Sequence, residues 1–183
     1  MDTAEVQLKM SKLFPFGGKS PNIHKSVFVA PGAKIIGDVQ IGKNSGVWFN
    51  AVIRGDVNFI KIGEMTNIQD CAVLHVTGND FPLLIGNMVT IGHNACIHAC
   101  ILENKTLIGI GSVVLDGAIV KEKSLVAAGA VVRPGFIVPP GTLAAGVPAK
   151  IVRDLSQDEL EYFEISAKHY STYAEETRVS IDC

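Results

Sequence analysis

The chain has no run of eighteen consecutive apolar residues, so no segment reads as a membrane-spanning helix. It has no apolar stretch behind its first residues. MDTAEVQLKM carries acids, which fits neither a secretory signal nor an acid-poor transit peptide. It has no excess of positive charge, with 16 Lys and Arg against 18 Asp and Glu, and no basic stripe of the kind nucleic acid requires. Its four cysteines, Cys71, Cys96, Cys100 and Cys183, follow no zinc-finger spacing. Without an export signal they read as reduced, buried thiols of a cytoplasmic protein. Cys96 and Cys100 lie close to histidines, but thiols are common core residues and that role has precedence over metal binding.

What the chain does have is a count of six. Its 183 residues suffice for one domain with a substantial core. From Ile23, aliphatics recur at Val29, Ile35, Ile41, Val47 and Ile53, at Ile62, Ile68 and Leu74, and at Ile85, Ile91 and Ile97. The last run is Leu102, Ile108, Val114, Val120, Val126, Val132, Val138 and Ala144. Four residues after most of these comes a small or slim residue, such as Val27, Ala33, Val39, Ser45 or Ala51. Neither the helical period nor the strand period produces this pattern. A six-residue unit with one large and one small inward side chain suits a short strand and a corner. Three such sides close a triangular coil, and coils stack at the strand spacing of about 4.8 Å. The predicted class is mainly β, a parallel β-helix over 21–150. A strand or cap covers it at 1–20. The segment 151–183 carries one amphipathic helix over about 156–177, opened by a capping box at Ser156 and Glu159.

The count slips three times, all between Ile53 and Ile101. Ile53 to Ile62 is nine residues, Leu74 to Ile85 is eleven with VTGNDFP in the gap, and Ile97 to Leu102 is five. Interruptions of a regular scaffold are where function tends to sit. The same stretch holds three of the five histidines, His75, His93 and His98, with Arg54, Asp56, Asn67, Gln69 and Asp70. If the slips bulge outward without adding a side, residues three hexads apart stack on adjacent coils. Arg54, His75 and His98 then form one outward column, and Asp70 and His93 another, around a corner. Two imidazoles stacked at about 4.8 Å can share one metal ion, each nitrogen about 2.1 Å from it. His93 points elsewhere, so a third ligand must come from a neighbouring copy. A threefold homotrimer supplies it and also covers the flat apolar sides of such a prism.

The hexapeptide coil, RGD at 54–56, NIQD at 67–70, His75 and the IGHNACIH run resemble the gamma-class carbonic anhydrases, over about residues 12–175. The resemblance implies a left-handed coil; the general crossover rule alone would favour the right hand. It implies a homotrimer with zinc, or alternatively iron or cobalt, between subunits. His75 and His98 would come from one chain and His93 from the next. It implies that Arg54 and Asp56 form an intersubunit salt bridge and that Asn67, Gln69 and Asp70 line the pocket. The implied reaction is hydration of carbon dioxide to bicarbonate by zinc-bound hydroxide, with Gln69 orienting the hydroxide and Asn67 holding a substrate oxygen. The chain departs from the family where protons leave. Founding members carry glutamates after the first histidine and after RGD; here the loop offers only Asp80, and Val57 follows Asp56. Activity is therefore expected to be low or conditional. Tyr170 is a candidate for a tyrosine that some members bring from the C-terminal helix, with packing as its commoner role.

Three other functions use the same scaffold. A hexapeptide acyltransferase also ends in a GVPAK-like tail and takes an acyl-CoA, but needs one base histidine rather than three. A non-catalytic trimeric scaffold would bind metal without turnover. A thioesterase-like hydrolase would direct the same site at another carbonyl.

Overall fold

In the computed structural model, residues 12–78 and 80–182 are described. The first eleven residues of the expected N-terminal cap, Asn79 of the loop and Cys183 lie outside them. The hexads form three vertical columns of inward side chains. One runs Ile23, Ile41, Ile62, Ile85, Leu102, Val120 and Val138, each paired in parallel with the next. The second runs from Val29 through Val47, Ile68, Ile91, Ile108 and Val126 to Ala144. The third runs Ile35, Ile53, Leu74, Ile97, Val114 and Val132. A parallel β-solenoid results, with most strands two residues long because a corner follows at once. Two longer strands, Lys34–Ile41 and Val52–Ile62, run around a corner and join two of the sides into one sheet.

The core is the stack of those columns; its aliphatics are buried from Ile35 onward, while Ile23 and Val29 at the first coil are partly buried. The slim partners fill the corners. Where the slim residue is Ser or Thr, its hydroxyl donates to a nearby backbone carbonyl, as Ser112 does to Gly109 and Thr66 to Gly86, both at 2.8 Å. A hydroxyl buried among aliphatics is thereby satisfied.

The slips leave the columns in register, as the counting requires. Ile53 pairs with Leu74 and Leu74 with Ile97, while Ile62 pairs with Ile85 and Ile85 with Leu102. The first slip is a bulge within Val52–Ile62, where the register shifts opposite Gly37 and Val39. Gly55, at the centre of RGD, is needed there: a Cβ would stand 2.7 Å from the Asp38 carbonyl oxygen of the coil above. The second slip is the loop before Leu83–Ile85. The third tightens a corner at Ala99, which takes a left-handed backbone.

After the last coil the chain turns back. Lys150–Asp154 lies antiparallel to Thr142–Ala145, within a segment from which only the helix and tail were expected. The final coil otherwise presents unpaired backbone groups, and a returning strand satisfies them. The helix spans Gln157–Asp182, five residues past its expected end. Its C-terminal turns have their own contacts: Ala174 packs with Phe28, Ala30 and Trp48, and Arg178 donates to the Ser26 carbonyl at 3.2 Å. Its start is the expected capping box, with the Ser156 N–H donating to Glu159 and the Glu159 N–H to Ser156 Oγ. Arg153 grips the same Glu159 carboxylate through both Nη atoms, at 2.7 and 2.8 Å. Those hydrogen bonds, first from Arg153 and then from the Ser156 backbone, lower the Glu159 carboxyl to about 2. Among the described residues, no helix is long and apolar enough to cross a membrane. Cys71, Cys96 and Cys100 are free thiols, but only Cys100 is buried as expected; Cys71 is exposed and Cys96 half-buried.

Candidate metal centre

Each coil presents the residue after its buried aliphatic to the outside. On the third side this places Arg54 beside His75 and His75 beside His98, paired Cα to Cα in successive coils. The inner nitrogens face each other: His75 Nδ1 lies 3.0 Å from His98 Nε2. The outer nitrogens face carboxylates. His75 Nε2 is 3.0 Å from Asp56 Oδ1, and His98 Nδ1 is 2.5 Å from Asp116 Oδ1. Arg54 closes the chain at one end by pairing with Asp56, and Thr77 closes it at the other by donating to Asp116 Oδ2 at 2.5 Å.

Both carboxyls lie below the usual carboxylate range. Partial burial pushes Asp56 up, but hydrogen bonds from His75, Arg54 and the backbone outweigh it. Partial burial also pushes Asp116 up, and hydrogen bonds from Thr77 and His98 outweigh it in turn. Two anionic acceptors therefore hold the outer N–H groups of two imidazoles. With both rings neutral, that arrangement leaves the inner nitrogens as lone pairs 3.0 Å apart. Such a pair repels unless a proton or cation lies between. Its separation is less than twice the Zn–N distance of about 2.1 Å, so both nitrogens can reach one ion. Metal-bound histidines commonly have their far nitrogen held by a carboxylate in this way. The donor set fits a metal of the zinc type.

His93 stands on a different part of the coil. It follows the second-side strand Thr90–Ile91, with its Nδ1 2.7 Å from Asp70 Oδ2. Asp70 also accepts the Phe49 N–H at 3.2 Å. Beside it, Gln69 Nε2 donates to Asn67 Oδ1 at 3.1 Å, and Asn67 Nδ2 donates to Thr90 Oγ1 at 2.9 Å. Thr90 meets Ser166 of the C-terminal helix at 3.3 Å. Gln69, Asn67, Thr90 and Ser166 are all buried, so this network ties the helix to the coil. A groove of about 370 Å³ opens there, lined by polar Gln69, His93, Ser166 and Tyr170 and by apolar Leu107, Ile110 and Leu125. Tyr170 serves the groove and the packing together, since it also stands edge-on to Trp48 at 5.6 Å. Burial, and then the negative charge of Asp70, raise its phenol above the ordinary value.

The expected site residues thus fall into two groups. Arg54, Asp56, His75 and His98 gather on one side, and Asn67, Gln69, Asp70 and His93 on another. Among the described residues, no three His, Cys, Asp or Glu side chains of the one chain converge as a metal set. Arg54 and Asp56, expected to pair between subunits, pair with each other within the chain. Cys100 is buried, and burial pushes its thiol far up, toward inertness. Four contributors escaped the sequence reading. Asp116 had a signal: it lies one position past the His98 column in the next coil, but outside the interrupted stretch. Thr77, Thr90 and Ser166 had none, because hydroxyls fill many corners of this repeat.

A family model for bacterial transferase hexapeptide repeats matches residues 20–55. A carbonic anhydrase of Geobacillus kaustophilus is 50% identical over 158 residues, which are 86% of this chain and 86% of that protein. The mitochondrial gamma carbonic anhydrase 2 of Arabidopsis thaliana is 46% identical over 162 residues, 86% of this chain. This chain spans 58% of that longer relative. Among solved structures, a hexapeptide transferase family protein of Anaplasma phagocytophilum superposes with a TM-score of 0.86 at 44% identity, covering 89% of this chain and 96% of that one. The chain belongs to the gamma carbonic anhydrase family of hexapeptide-repeat proteins.

Proposed function

We propose that three copies of this chain form a ring and hydrate carbon dioxide to bicarbonate at metal sites between them. The observation that carries this reading is the divided ligand set. His75 and His98 aim their inner nitrogens at one point, and His93 stands on another side with its far nitrogen against Asp70. A cyclic neighbour turned by a third of a circle can bring His93 to the pair, which a single chain cannot. His75, His98 and the neighbour's copy of His93 would hold zinc, with iron or cobalt as alternatives. Bound there by neutral imidazoles, such a cation supplies a Lewis acid and an acidified water near neutral pH.

The chain's own residues do the rest. Asp56 and Asp116 hold the outer N–H groups of His75 and His98, which keeps both rings turned inward. Gln69, fixed by Asn67, offers its amide to the reacting oxygens, and Asn67 itself is held by Thr90. Arg54 balances the Asp56 charge, in this chain or across the ring. The apolar residues that line the groove suit an uncharged substrate, and its polar ones suit the charged product. Proton export is the weak step. Val57 and Asp80, at the places where founding members carry glutamates, are both exposed, one aliphatic and the other a carboxylate on the loop. Turnover is therefore low or dependent on buffer. A cytoplasmic location suits the free thiols.

The decisive experiment is anaerobic purification with metal analysis and mass measurement in solution, followed by stopped-flow carbon dioxide hydration. A trimer with one metal per chain and buffer-dependent hydration is expected. A metal-replete trimer without hydration under any buffer leaves a non-catalytic scaffold. The transferase match supports a second reading, acyl transfer from an acyl-CoA. Acetyl-CoA turnover by a metal-free preparation would establish it in place of the first.

A further inference from the structure

Asp116 lies in the regular part of the repeat, where packing accounts for its neighbours. It is nonetheless bound from two directions, by His98 Nδ1 at 2.5 Å and by the Thr77 hydroxyl at 2.5 Å. Thr77 belongs to the loop that makes the second slip, two residues past His75. Another residue of that loop, Phe81, lays its ring against Gly117, where a Cβ would stand 3.2 Å from the ring. Gly117 also has a left-handed backbone, at φ 67°. Asn58, from the first slip, donates its amide to the Thr77 carbonyl at 3.3 Å and to the Gly78 carbonyl at 2.6 Å. The two insertions are thus fastened to each other, and the second is fastened to the corner that carries Asp116.

We infer that Asp116 is the positioning residue for His98, holding its ring in the Nδ1–H form with Nε2 turned toward His75, and that Thr77 and the short loop exist in part to hold Asp116. The inference rests on the metal reading of the histidine pair. The physical ground is the fixed tautomer. A carboxylate accepts the Nδ1–H and refuses a lone pair, so Nε2 is left as the free donor atom. Thr77 donates to the second carboxylate oxygen, which stops the carboxyl group from rotating away. Without Asp116, His98 can take the other tautomer and turn its ring, and each metal-binding event must first undo both. Loss of such a partner typically costs 10–100-fold in metal affinity.

The test measures zinc partition between the assembled protein and a chromophoric chelator, alongside long-range proton–nitrogen spectra of histidine-labelled, zinc-depleted protein. In the parent, His98 is expected in the Nδ1–H form. In Asp116→Asn the spectra should show mixed tautomers, and zinc should bind roughly 10–100-fold more weakly with assembly and thermal midpoint retained. Thr77→Val, which removes only a hydroxyl, should shift both readouts in the same direction by a smaller factor. It also decides the matter if the Asp116 variant does not fold. Unchanged zinc partition and unchanged His98 tautomer in these variants would overturn the inference. If the parent takes no zinc, the metal reading falls, while the tautomer spectra still decide whether Asp116 governs His98.

Discussion

The coils from Leu102 to Ala144 and those from Ile53 to Ile101 are built from the same hexad and stack on the same three columns, yet they behave as different materials. In the lower coils the count never slips. In the upper coils three slips occur, and a chain of polar contacts runs Arg54, Asp56, His75, His98, Asp116, Thr77. The inward columns pass through both regions without a fault. A repeat whose core is satisfied by one aliphatic per side leaves the outward positions free to vary, and the slips use that freedom to aim side chains that the bare repeat would leave splayed. The lower coils still take part: Asp116 is their contribution, carried in the next coil one position past the residue that stacks beneath His98.

The sharpest way to break the comparison is to remove a ligand from the upper coils. His93→Ala should lose essentially all bound metal, measured on the purified assembly, and keep its circular dichroism, because that ring is half-exposed and belongs to neither core cluster. Full metal occupancy in the variant would end the divided-site proposal. The converse change in the lower coils is Ile108→Ala. Ile108 is fully buried in the second column, so the cavity should cost about 2–5 kcal/mol in denaturant unfolding, with metal per folded chain unchanged. A loss of metal without a loss of stability would show that the two regions are not separable.

Smaller effects refine the picture. Ser156→Ala should cost about 1 kcal/mol through loss of the helix cap, read as a lowered thermal midpoint. If Ser166 tethers the helix to the groove, hydrogen exchange should rise first at the helix start and leave the coil protected. The least effect is electrostatic. Glu159 is lowered to about 2 in the folded chain from an ordinary 4.5. Its stabilising contribution is therefore present above pH 4.5 and lost as pH falls toward 2. Glu159→Gln should lower the thermal midpoint at pH 7 and make a much smaller difference at pH 2. An equal deficit at both would assign the residue a packing role instead.

Much of this is legible in the amino-acid sequence alone. The hexads gave the columns, and the columns placed Arg54, His75 and His98 together and Asp70 beside His93. That worked because a parallel coil converts sequence spacing into spatial contact by simple counting, and the insertions bulge outward without changing the count. The counting stopped at contacts that depend on where a loop folds back. Asp116, 18 residues past His98, and Thr77, 39 residues from Asp116, meet only because the second insertion reaches past the His98 coil to the coil that carries Asp116. The returning strand Lys150–Asp154 was equally invisible, since its residues are exposed and carry no alternation.

The amino-acid order by itself determined the solenoid, its three columns and which histidines share a side, because each of these follows from a period imposed by one large and one small inward side chain. Only the tertiary structure decided how the imidazoles are turned. Ring orientation depends on partners delivered by the insertions and by the neighbouring coil, and the period of a repeat fixes where a side chain starts but not which nitrogen it presents.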